Sequence, residues 1–469
     1  MKVGYGVARR LFALSRIRGE KRKMKALAKL LPHQHDKTLF YWAMLASFII
    51  VALRIFVADY QIDWDEELYF QIAKGWSDGL VPYRDIFDHK PPLLYVYYSL
   101  FSGFGSSFAL LRILQALLLL YALMYTWNHF RERLSILFVP VMLALFSAKG
   151  LTGTNSELIY IPFILFAFVF LLRGQWLAAS LAAALVVGVK YTAALDILGV
   201  AVTVWLMQKR WQPVLLFAVV SASVFLLVHA LLYMYFNGYG VDVLYETILR
   251  NLQHSGGERN LLKVPSKFWT LLVVLILLCG VRMKEGRPDI DVRFTAGLLI
   301  WAVLSFVQSQ ITGRGYYHYF IPIFIPLCLL TFSFIHDLSV TKTRVIGYSV
   351  CIGVMLYALS LGNMYYQKHQ SDSSRLSAAC ELDTFHYDGK SLFVYRLCDV
   401  QPLKYMFPQF YKSEHFEKVS GSGGLQWLNT VERPVVSDDG KTVQIFPDGL
   451  RFAEHYKEQI AAETLTSGR

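Results

Sequence analysis

The sequence predicts an all-α polytopic membrane protein that ends in a small α/β domain outside the membrane. Of its 469 residues, 55% are hydrophobic and only 17% are charged, and the mean hydropathy is +0.40. Soluble globular proteins carry about 25% charged residues. Apolar runs long enough to cross a bilayer recur from residue 38 to residue 362, and beyond that point they shorten to the length of strands.

Apolar runs of about 17 to 25 residues mark the predicted membrane spans, since a helix of that length crosses the hydrocarbon core. They predict about eleven spans by this length criterion, at 38–58, 107–128, 134–150, 155–173, 175–190, 191–207, 213–236, 267–282, 293–311, 318–335 and 344–362. The division of 175–207 into two spans rests on one polar break, Lys190 to Thr192. If that stretch were a single span, every later loop would change sides.

Basic residues predict the orientation of these spans. The first 37 residues hold eleven Lys and Arg against two Asp and Glu, a net charge of +9 out of +12 for the whole chain. Such a tail before a span stays in the cytoplasm and lies on anionic lipid, which explains the charge without nucleic acid. The basic short loops then fall on the same side: Arg131 with Arg133, Arg173, Lys209 with Arg210, Arg282 to Arg287, and Lys342 with Arg344.

We therefore expect a multi-pass protein of the cytoplasmic (inner) membrane, with the lipid bilayer as its environment and its N-terminus in the cytoplasm. The tail is not expected to be a cleaved signal peptide, because its charged region is long and the apolar run after it has the length of a full span. The predicted domains are the basic tail 1–37, the transmembrane domain 38–362 and an extracytoplasmic domain 363–469.

The longest loop on the opposite face, 59–106, concentrates charged residues. Between Asp59 and Pro92 it contains Asp63, Asp65, Glu66, Glu67, Asp78, Asp85, Asp88, His89 and Lys90. Ionised groups beside a bilayer are costly unless they are solvated, paired or used for function. The loop is therefore predicted to hold the reactive site, and a solvated loop is the alternative. Asp65, Tyr69, Ile72 and Trp76 recur at helical spacing, which predicts a helix in the interface plane.

The C-terminal part has the pattern of a small mixed α/β domain. Short apolar runs predict strands at 391–395, 433–437 and 442–446, separated by Asp-Gly turns. The polar, serine-rich stretch Gln367 to Ser377 is the expected linker. Cys380 and Cys398 lie in this extracytoplasmic part, where a disulfide between them is one alternative and two free thiols the other.

Several motifs resemble one group of membrane enzymes. The motifs are Asp65-Glu66-Glu67-Leu68-Tyr69, Phe87-Asp88-His89-Lys90-Pro91-Pro92, Arg112, Thr154-Asn155-Ser156-Glu157, and Gly313 to Pro322. Together they resemble bacterial dolichyl-phosphate-mannose-protein mannosyltransferase-like enzymes of the GT-C superfamily, which includes the aminoarabinose transferase of lipid A. The resemblance rests mainly on the first loop. It implies transfer of one sugar from a polyprenyl-phosphate carrier to a lipid, glycan or protein acceptor.

Such a transfer needs a carboxylate that accepts the proton of the attacking hydroxyl. Negative charge also favours a transition state that resembles an oxocarbenium ion. By the family pattern Asp-Glu-x-x-Tyr, Asp65 is the expected base of an inverting hexosyl- or pentosyltransferase, with Asp63 and Glu66 as its rivals. Asp88 matches an acidic position of the family loop, but His89 stands between it and Lys90 here, so its role stays open.

The leaving group is a lipid phosphate, which requires positive charge nearby. Lys90, in a loop stiffened by two prolines, and Arg314, before an outward-facing helix start, are the expected phosphate ligands. An interfacial anchor is the alternative for Arg314. Tyr317 and His318, like Tyr316 and Tyr319 around them, are expected to line the site or to form an aromatic belt at the interface.

Four further residues are candidates for substrate contact, as is His89 beside Lys90. Asn155 and Glu157 begin a helix that faces outward, where capping explains the same residues. Arg112 and Lys190, near the outer membrane face, each require an anionic partner such as the carrier phosphate or a first-loop carboxylate. For Lys190, snorkelling to the interface is the alternative.

The sequence contains no nucleotide-binding or zinc-protease motif, so we expect no cofactor. A metal ion is not required if Lys90 and Arg314 neutralise the phosphate, although Asp65 and Asp88 could hold a single divalent ion. Two other functions remain open: a transporter or flippase of a lipid-linked sugar, and an oligosaccharide ligase or polymerase with a pyrophosphate-linked donor. A transporter is expected to have charged midplane groups or related halves, and neither is evident.

Overall fold

A computed structural model gives the fold of the chain. It describes residues 37–57, 64–84, 88–102, 109–147, 155–249, 269, 273, 291–311, 317–336, 340–376, 386–388, 433–437 and 443–446. Several predictions fall outside these residues: the basic tail before Lys37, the span at 267–282, the strand at 391–395, Asp63, Asp85, Arg314, Tyr316, Cys380 and Cys398.

The described part consists mainly of helices. They are α1 (Lys37–Phe56), α2 (Trp64–Ser77), α3 (Pro92–Ser102), α4 (Ala109–Phe130), α5 (Phe138–Leu145), α6 (Ser156–Leu172), α7 (Trp176–Val189), α8 (Ala194–Gln208), α9 (Gln212–Asn237), α10 (Val292–Ile311), α11 (Ile321–His336) and α12 (Val340–Leu376). A 3₁₀ turn at Tyr191–Ala193 leads into α8, and another at Tyr317–Phe320 leads into α11.

Among the described helical segments, seven are long and apolar enough to cross a membrane. They are α1, α4, α8 with its 3₁₀ turn, α9, α10, α11 with its 3₁₀ turn, and α12 over Arg344–Ser371. Helices α3, α6 and α7 are apolar but shorter. The structure confirms the mostly helical membrane protein that the sequence predicts. The number of spans, about eleven by the length criterion, remains a prediction.

The described part of the predicted span at 134–150, which ends at residue 147, contains one short helix, α5. Its eight residues extend about 12 Å at 1.5 Å per residue, well short of a hydrocarbon core of roughly 30 Å. Pro140 is the third residue of α5 and cannot donate a backbone hydrogen bond, so it is tolerated only in the first turn, where the N–H groups have no partner inside the helix. The helix therefore begins just before Pro140, and a turn occupies the residues ahead of it.

The first loop contains two helices rather than one. Helix α2 covers the residues predicted to be helical, whereas α3 was not predicted. Pro92 opens α3, and proline suits the first helical position because its missing N–H would have no partner there. Tyr69 of α2 contacts Tyr95 and Tyr98 of α3, with ring centroids 6.3 Å and 5.7 Å apart. Aromatic packing thus joins the two helices.

Helices α8 and α10 pack closely because glycines face bulky neighbours. A Cβ atom at Gly199 would lie 2.5 Å from the Trp301 ring, and one at Gly297 would lie 2.9 Å from the Cα atom of Thr203. Small residues allow such close approach of helices in membranes. This pair supports the 3₁₀ turn at Tyr191–Ala193, which lies beside the candidate site.

The described C-terminal part differs from its prediction in the helical linker and in strand β1, which was not predicted. Helix α12 continues to Leu376, so the predicted linker Gln367 to Ser377 is helical up to that residue. Strands β1 (His386–Asp388), β2 (Arg433–Ser437) and β3 (Val443–Phe446) form a sheet in which β2 is parallel to β1 and antiparallel to β3. Val435 opposes His386 on one side and Gln444 on the other. β2 and β3 coincide with two predicted strands.

Candidate functional site

The first turn of α2 directs two neighbouring acids differently. Successive helical residues are about 100° apart, so adjacent side chains cannot share a face. The Asp65 side chain is 26% exposed, whereas that of Glu66 is fully buried. Arg112 of α4 donates to both carboxylate oxygens of Glu66, at 3.1 Å from Nε and 2.6 Å from Nη2. This bidentate geometry is the strong form of an arginine–carboxylate pair. Of the partners expected for Arg112, the structure contains the first-loop carboxylate.

A turn after α2 holds Asp88 away from solvent. Its Oδ1 accepts the backbone N–H of His89 at 2.7 Å, and its Oδ2 accepts the Tyr95 hydroxyl at 2.6 Å. The His89 ring nitrogen Nδ1 lies 3.2 Å from Oδ1. Burial raises the pKa of Asp88, and the charge of Lys90 acts in the opposite direction. Both oxygens of Asp88 are therefore engaged within the turn.

Lys90 follows in the same turn and faces the centre of the site. Its ammonium nitrogen lies 3.2 Å from Nε2 of His89, and its backbone carbonyl accepts the Tyr83 hydroxyl at 2.7 Å. Burial works to lower the pKa of Lys90, but interaction with Tyr319 and with the carboxylates around it outweighs burial and raises that pKa. Lys90 is thus a fixed positive charge. The carboxylates that act on it are Asp65, Asp88 and Glu157.

The start of α6 contributes a second acid. Asn155 caps the helix by accepting the N–H of Leu158 at 3.4 Å, which confirms the capping role. The amide nitrogen Nδ2 of Asn155 is buried and has no hydrogen-bond partner in the described part of the chain. Glu157 accepts the Ser156 hydroxyl at 2.9 Å and forms an ion pair with Lys190.

Lys190 lies at the end of α7 and is half-buried in this pair. Its ammonium nitrogen is 4.2 Å from the centroid of the Tyr319 ring, and its side chain is 16% exposed. Burial lowers the pKa of Lys190, and the charge of Glu157 acts in the opposite direction. The alternative prediction was that Lys190 snorkels to the interface. The structure instead pairs its side chain with Glu157.

The 3₁₀ turn before α11 connects the two halves of the site. Nε2 of His318 lies 3.9 Å from Oδ2 of Asp65, and Tyr319 contacts Lys190. The structure thus brings Asp65, Lys90, Glu157, Lys190 and His318 together around one turn. Tyr317 belongs to the same turn, but its side chain lies outside the described residues, as does Arg314.

Sequence reasoning missed two tyrosines of this site. Tyr95 orients Asp88, and the hydroxyl of Tyr69 is buried with no hydrogen-bond partner in the described part of the chain. Tyr69 occupies the last position of the Asp-Glu-x-x-Tyr pattern, so that motif offered a signal for it. Tyr95 had none, since α3 itself was not predicted.

No group of three or more His, Cys, Asp or Glu side chains with the arrangement of a metal site occurs among the described residues. The expectation that no metal is required thus stays a prediction. So does the alternative of a divalent ion between Asp65 and Asp88.

Comparisons with known proteins were made by sequence and by structure. No protein-family model and no curated protein matches the sequence. The crystal structure of ArnT from Cupriavidus metallidurans bound to undecaprenyl phosphate matches with a TM-score of 0.57 at 14% identity, over 84% of this chain and 93% of that chain. The apo structure of the same protein matches with a TM-score of 0.52 at 14% identity, over 84% and 92%. The chain therefore shares its overall fold with ArnT.

Proposed function

We propose that the protein is a membrane glycosyltransferase that moves one monosaccharide from a polyprenyl-phosphate carrier to an acceptor at the outer membrane face. The observation that carries the proposal is the meeting of the partly exposed Asp65 with two half-buried lysines, Lys90 and Lys190, around the turn at Tyr317–Phe320. A base beside paired cations suits an acceptor hydroxyl on one side and a phosphate on the other. A neighbour in fold, ArnT, was crystallised with undecaprenyl phosphate.

In this mechanism Asp65 is the base. As the acceptor oxygen bonds to the anomeric carbon, its proton passes to Asp65 and the bond from that carbon to the phosphate oxygen breaks. The phosphate retains the electron pair, and the configuration at the anomeric carbon inverts. The exposure of Asp65 supports this role, because Glu66 is enclosed by Arg112 and Asp88 by its own turn. We assign Glu66, Asp88 and Arg112 to holding the reactive groups in position.

Positive charge stabilises the departing phosphate. The raised pKa of Lys90 keeps this side chain protonated. Lys190 supplies a second cation, which can exchange its ion pair with Glu157 for one with the phosphate. Arg314 precedes the same turn in sequence and is proposed as a third ligand. His318 and Tyr317 would contact the sugar, and His89 would hold Lys90. No metal ion enters this mechanism.

The finer topology also belongs to the proposal. We take the protein to lie in the inner membrane with its N-terminus in the cytoplasm. In that orientation the turn of Lys90 and the start of α6 are on the outer face. The C-terminal residues from 363 onward would form an extracytoplasmic α/β domain that helps to present the acceptor. The strand pairing of β1, β2 and β3 supports a sheet in this part of the chain.

Replacing Asp65 tests the proposal. The purified Asp65→Asn protein, assayed with radiolabelled polyprenyl-phosphate sugars, should lose transfer by about 10²- to 10⁴-fold, the usual contribution of a positioned base. Asp78→Asn is the matched control, since Asp78 lies exposed just beyond α2. Full activity of Asp65→Asn would refute the assignment of the base. Absence of transfer by the wild type with every such donor would refute the proposed reaction.

The same assay separates the two other functions. A flippase would move the labelled lipid across vesicles without forming a glycosylated product. A ligase or polymerase would use a pyrophosphate-linked donor and leave the monophosphate donor intact.

A further inference from the structure

Helix α6, which bears Glu157 in its first turn, contains a proline. In an α-helix each N–H donates to the carbonyl four residues earlier, and Pro162 has no N–H to donate. The carbonyl of Leu158 therefore lacks its ordinary partner inside the helix. This carbonyl belongs to the residue directly after Glu157.

Gln115 of α4 provides the missing donor. Its Nε2 donates to the Leu158 carbonyl at 2.6 Å, and its Oε1 accepts from Nη2 of Arg54 at 3.3 Å. Gln115 and Arg54 are each 1% exposed. Arg54 is anchored in turn, because its Nη1 donates to the Phe146 carbonyl at 2.7 Å and to the Ser147 hydroxyl at 3.2 Å. A buried chain of hydrogen bonds thus connects α1, α4 and the start of α6.

The same face of α4 also holds the opposite side of the site. Arg112 precedes Gln115 by three residues, and residues so spaced lie on one helical face. Arg112 binds Glu66, which is next to Asp65, while Gln115 binds Leu158, which is next to Glu157. One face of α4 therefore sets the positions of two backbone segments that bear the carboxylates of the site.

We infer that Gln115 is a positioning residue of the active site, which holds Glu157 and its partner Lys190 at a fixed distance from Asp65 through the carbonyl that Pro162 leaves free. The inference rests on the proposed transfer reaction. Displacing a reacting group by about 1 Å can cost on the order of 10²-fold in rate. Loss of the Gln115 bond should therefore lower kcat rather than weaken donor binding.

The variant Gln115→Glu tests the role of this bond. Glutamate keeps the shape of the side chain, and when ionised beside Arg54 it still accepts from that guanidinium but has no proton to donate to the Leu158 carbonyl. We expect kcat to fall by roughly 10- to 100-fold with KM for the polyprenyl-phosphate sugar changed less than about threefold. A kcat equal to that of the wild type would overturn the inference. So would a fall in kcat/KM that comes entirely from a rise in KM.

The chain offers a matched control at the other end of α6. Nε2 of Gln208 donates to the Leu172 carbonyl at 2.9 Å, so Gln208→Glu makes the same chemical change about 20 Å away along the helix. Its kcat should remain near that of the wild type. If Gln208→Glu lowered kcat as much as Gln115→Glu, the effect would belong to the packing of α6, and the inference would fail.

A second variant restores the missing donor within the helix. In Pro162→Ala the new N–H at position 162 can bond to the Leu158 carbonyl, so adding Gln115→Glu to this background should cost much less activity than in the wild type. An equal loss in both backgrounds would overturn the route through this carbonyl.

Hydrogen exchange separates this inference from the proposed reaction. The amides of Leu158 and Ile159, which donate to Asn155, should exchange faster in Gln115→Glu and at the wild-type rate in Gln208→Glu. If the wild type transfers no sugar, the proposed function fails, and unchanged exchange at the start of α6 would independently overturn the positioning role.

Discussion

Lys190 lies over the ring of Tyr319, with its ammonium nitrogen 4.2 Å from the ring centroid. The same nitrogen pairs with Glu157 at the start of α6. The contact joins the end of α7 to the turn before α11, and that turn also brings His318 to within 3.9 Å of Asp65. Tyr319 thus links the acidic and the basic parts of the candidate site.

The ring of Tyr319 should matter more than its hydroxyl for the position of Lys190. A cation over an aromatic ring gains about 0.5 to 2 kcal/mol, so Tyr319→Leu should lower kcat/KM for the donor by roughly 2- to 30-fold. Tyr319→Phe keeps the ring and should stay within about twofold of the wild type. Steady-state kinetics with the labelled donor measures both. Equal effects of the two variants would instead assign the role to the hydroxyl, which also acts on Lys90.

Lys190 should determine the alkaline limb of the pH profile. Burial lowers its pKa, so its positive charge is lost at a lower pH than that of an ordinary lysine at about 10.4. Activity that needs this charge should fall as pH rises through the lowered pKa. Arginine stays protonated to a pH above about 12, so Lys190→Arg should move the fall to higher pH.

Profiles of kcat/KM against pH for the wild type and for Lys190→Arg measure this shift. Lys90→Arg serves as the control, since the raised pKa of Lys90 keeps it charged in this range. An alkaline limb that stays in place in Lys190→Arg would contradict the prediction.

The pair between Arg112 and Glu66 should be costly to break on one side only. Glu66→Gln leaves a fully buried guanidinium without its carboxylate, which should lower the free energy of unfolding by about 3 to 5 kcal/mol. The double variant Glu66→Gln with Arg112→Met should recover part of that loss, because neither charge is then buried. Thermal unfolding in detergent, arranged as a double-mutant cycle, gives both values.

An exposed ion pair provides the comparison. Arg133 and Asp291 are 2.9 Å apart with side chains 62% and 42% exposed. Arg133→Met should change the unfolding free energy by no more than about 1 kcal/mol, as is usual for surface pairs. If Glu66→Gln lowered the unfolding free energy by no more than Arg133→Met does, the buried pair would contribute little to stability.

Asn155 should do more than cap α6. Its Oδ1 caps the helix, whereas its buried Nδ2 has no partner in the described residues and is available to a sugar hydroxyl. Serine retains the cap, so Asn155→Ser should preserve the unfolding temperature while KM for the donor rises by about 3- to 10-fold, the worth of one hydrogen bond. Asn155→Ala should lose stability as well. If the stable Asn155→Ser variant had unchanged kinetics, Asn155 would cap the helix without contacting the donor.

The length of apolar runs predicted most of the membrane helices, and particular exceptions show where this criterion fails. Helices α1, α4, α9 and α10 begin and end within about two residues of their predicted bounds, an ordinary uncertainty of helix ends. Helix α3 was missed because its apolar run of 11 residues is shorter than a membrane span. The short α5 and the long α12 depart from their apolar runs, since a proline limits the first and polar residues extend the second.

The candidate site was predicted by residue type but not by pairing. The sequence indicated that Arg112 requires an anion, yet both a carrier phosphate and a first-loop carboxylate met that requirement. Only the folded structure, which brings Arg112 to 2.6 Å from Glu66, selected the carboxylate. Likewise the sequence marked Asn155 and Glu157 as the start of a helix, but it contained no sign that Lys190 would pair with Glu157.

What the sequence by itself determined is most of the described membrane-length helices and the position of the charged loop between two of them. A membrane helix satisfies its backbone hydrogen bonds within its own segment, so its existence depends on local composition alone. Only the tertiary structure decided which buried groups meet, such as Gln115 with the carbonyl that Pro162 leaves free. These contacts join residues far apart in the chain, and no periodicity relates them. They arise because buried polar groups must find partners among whatever the packed helices bring near.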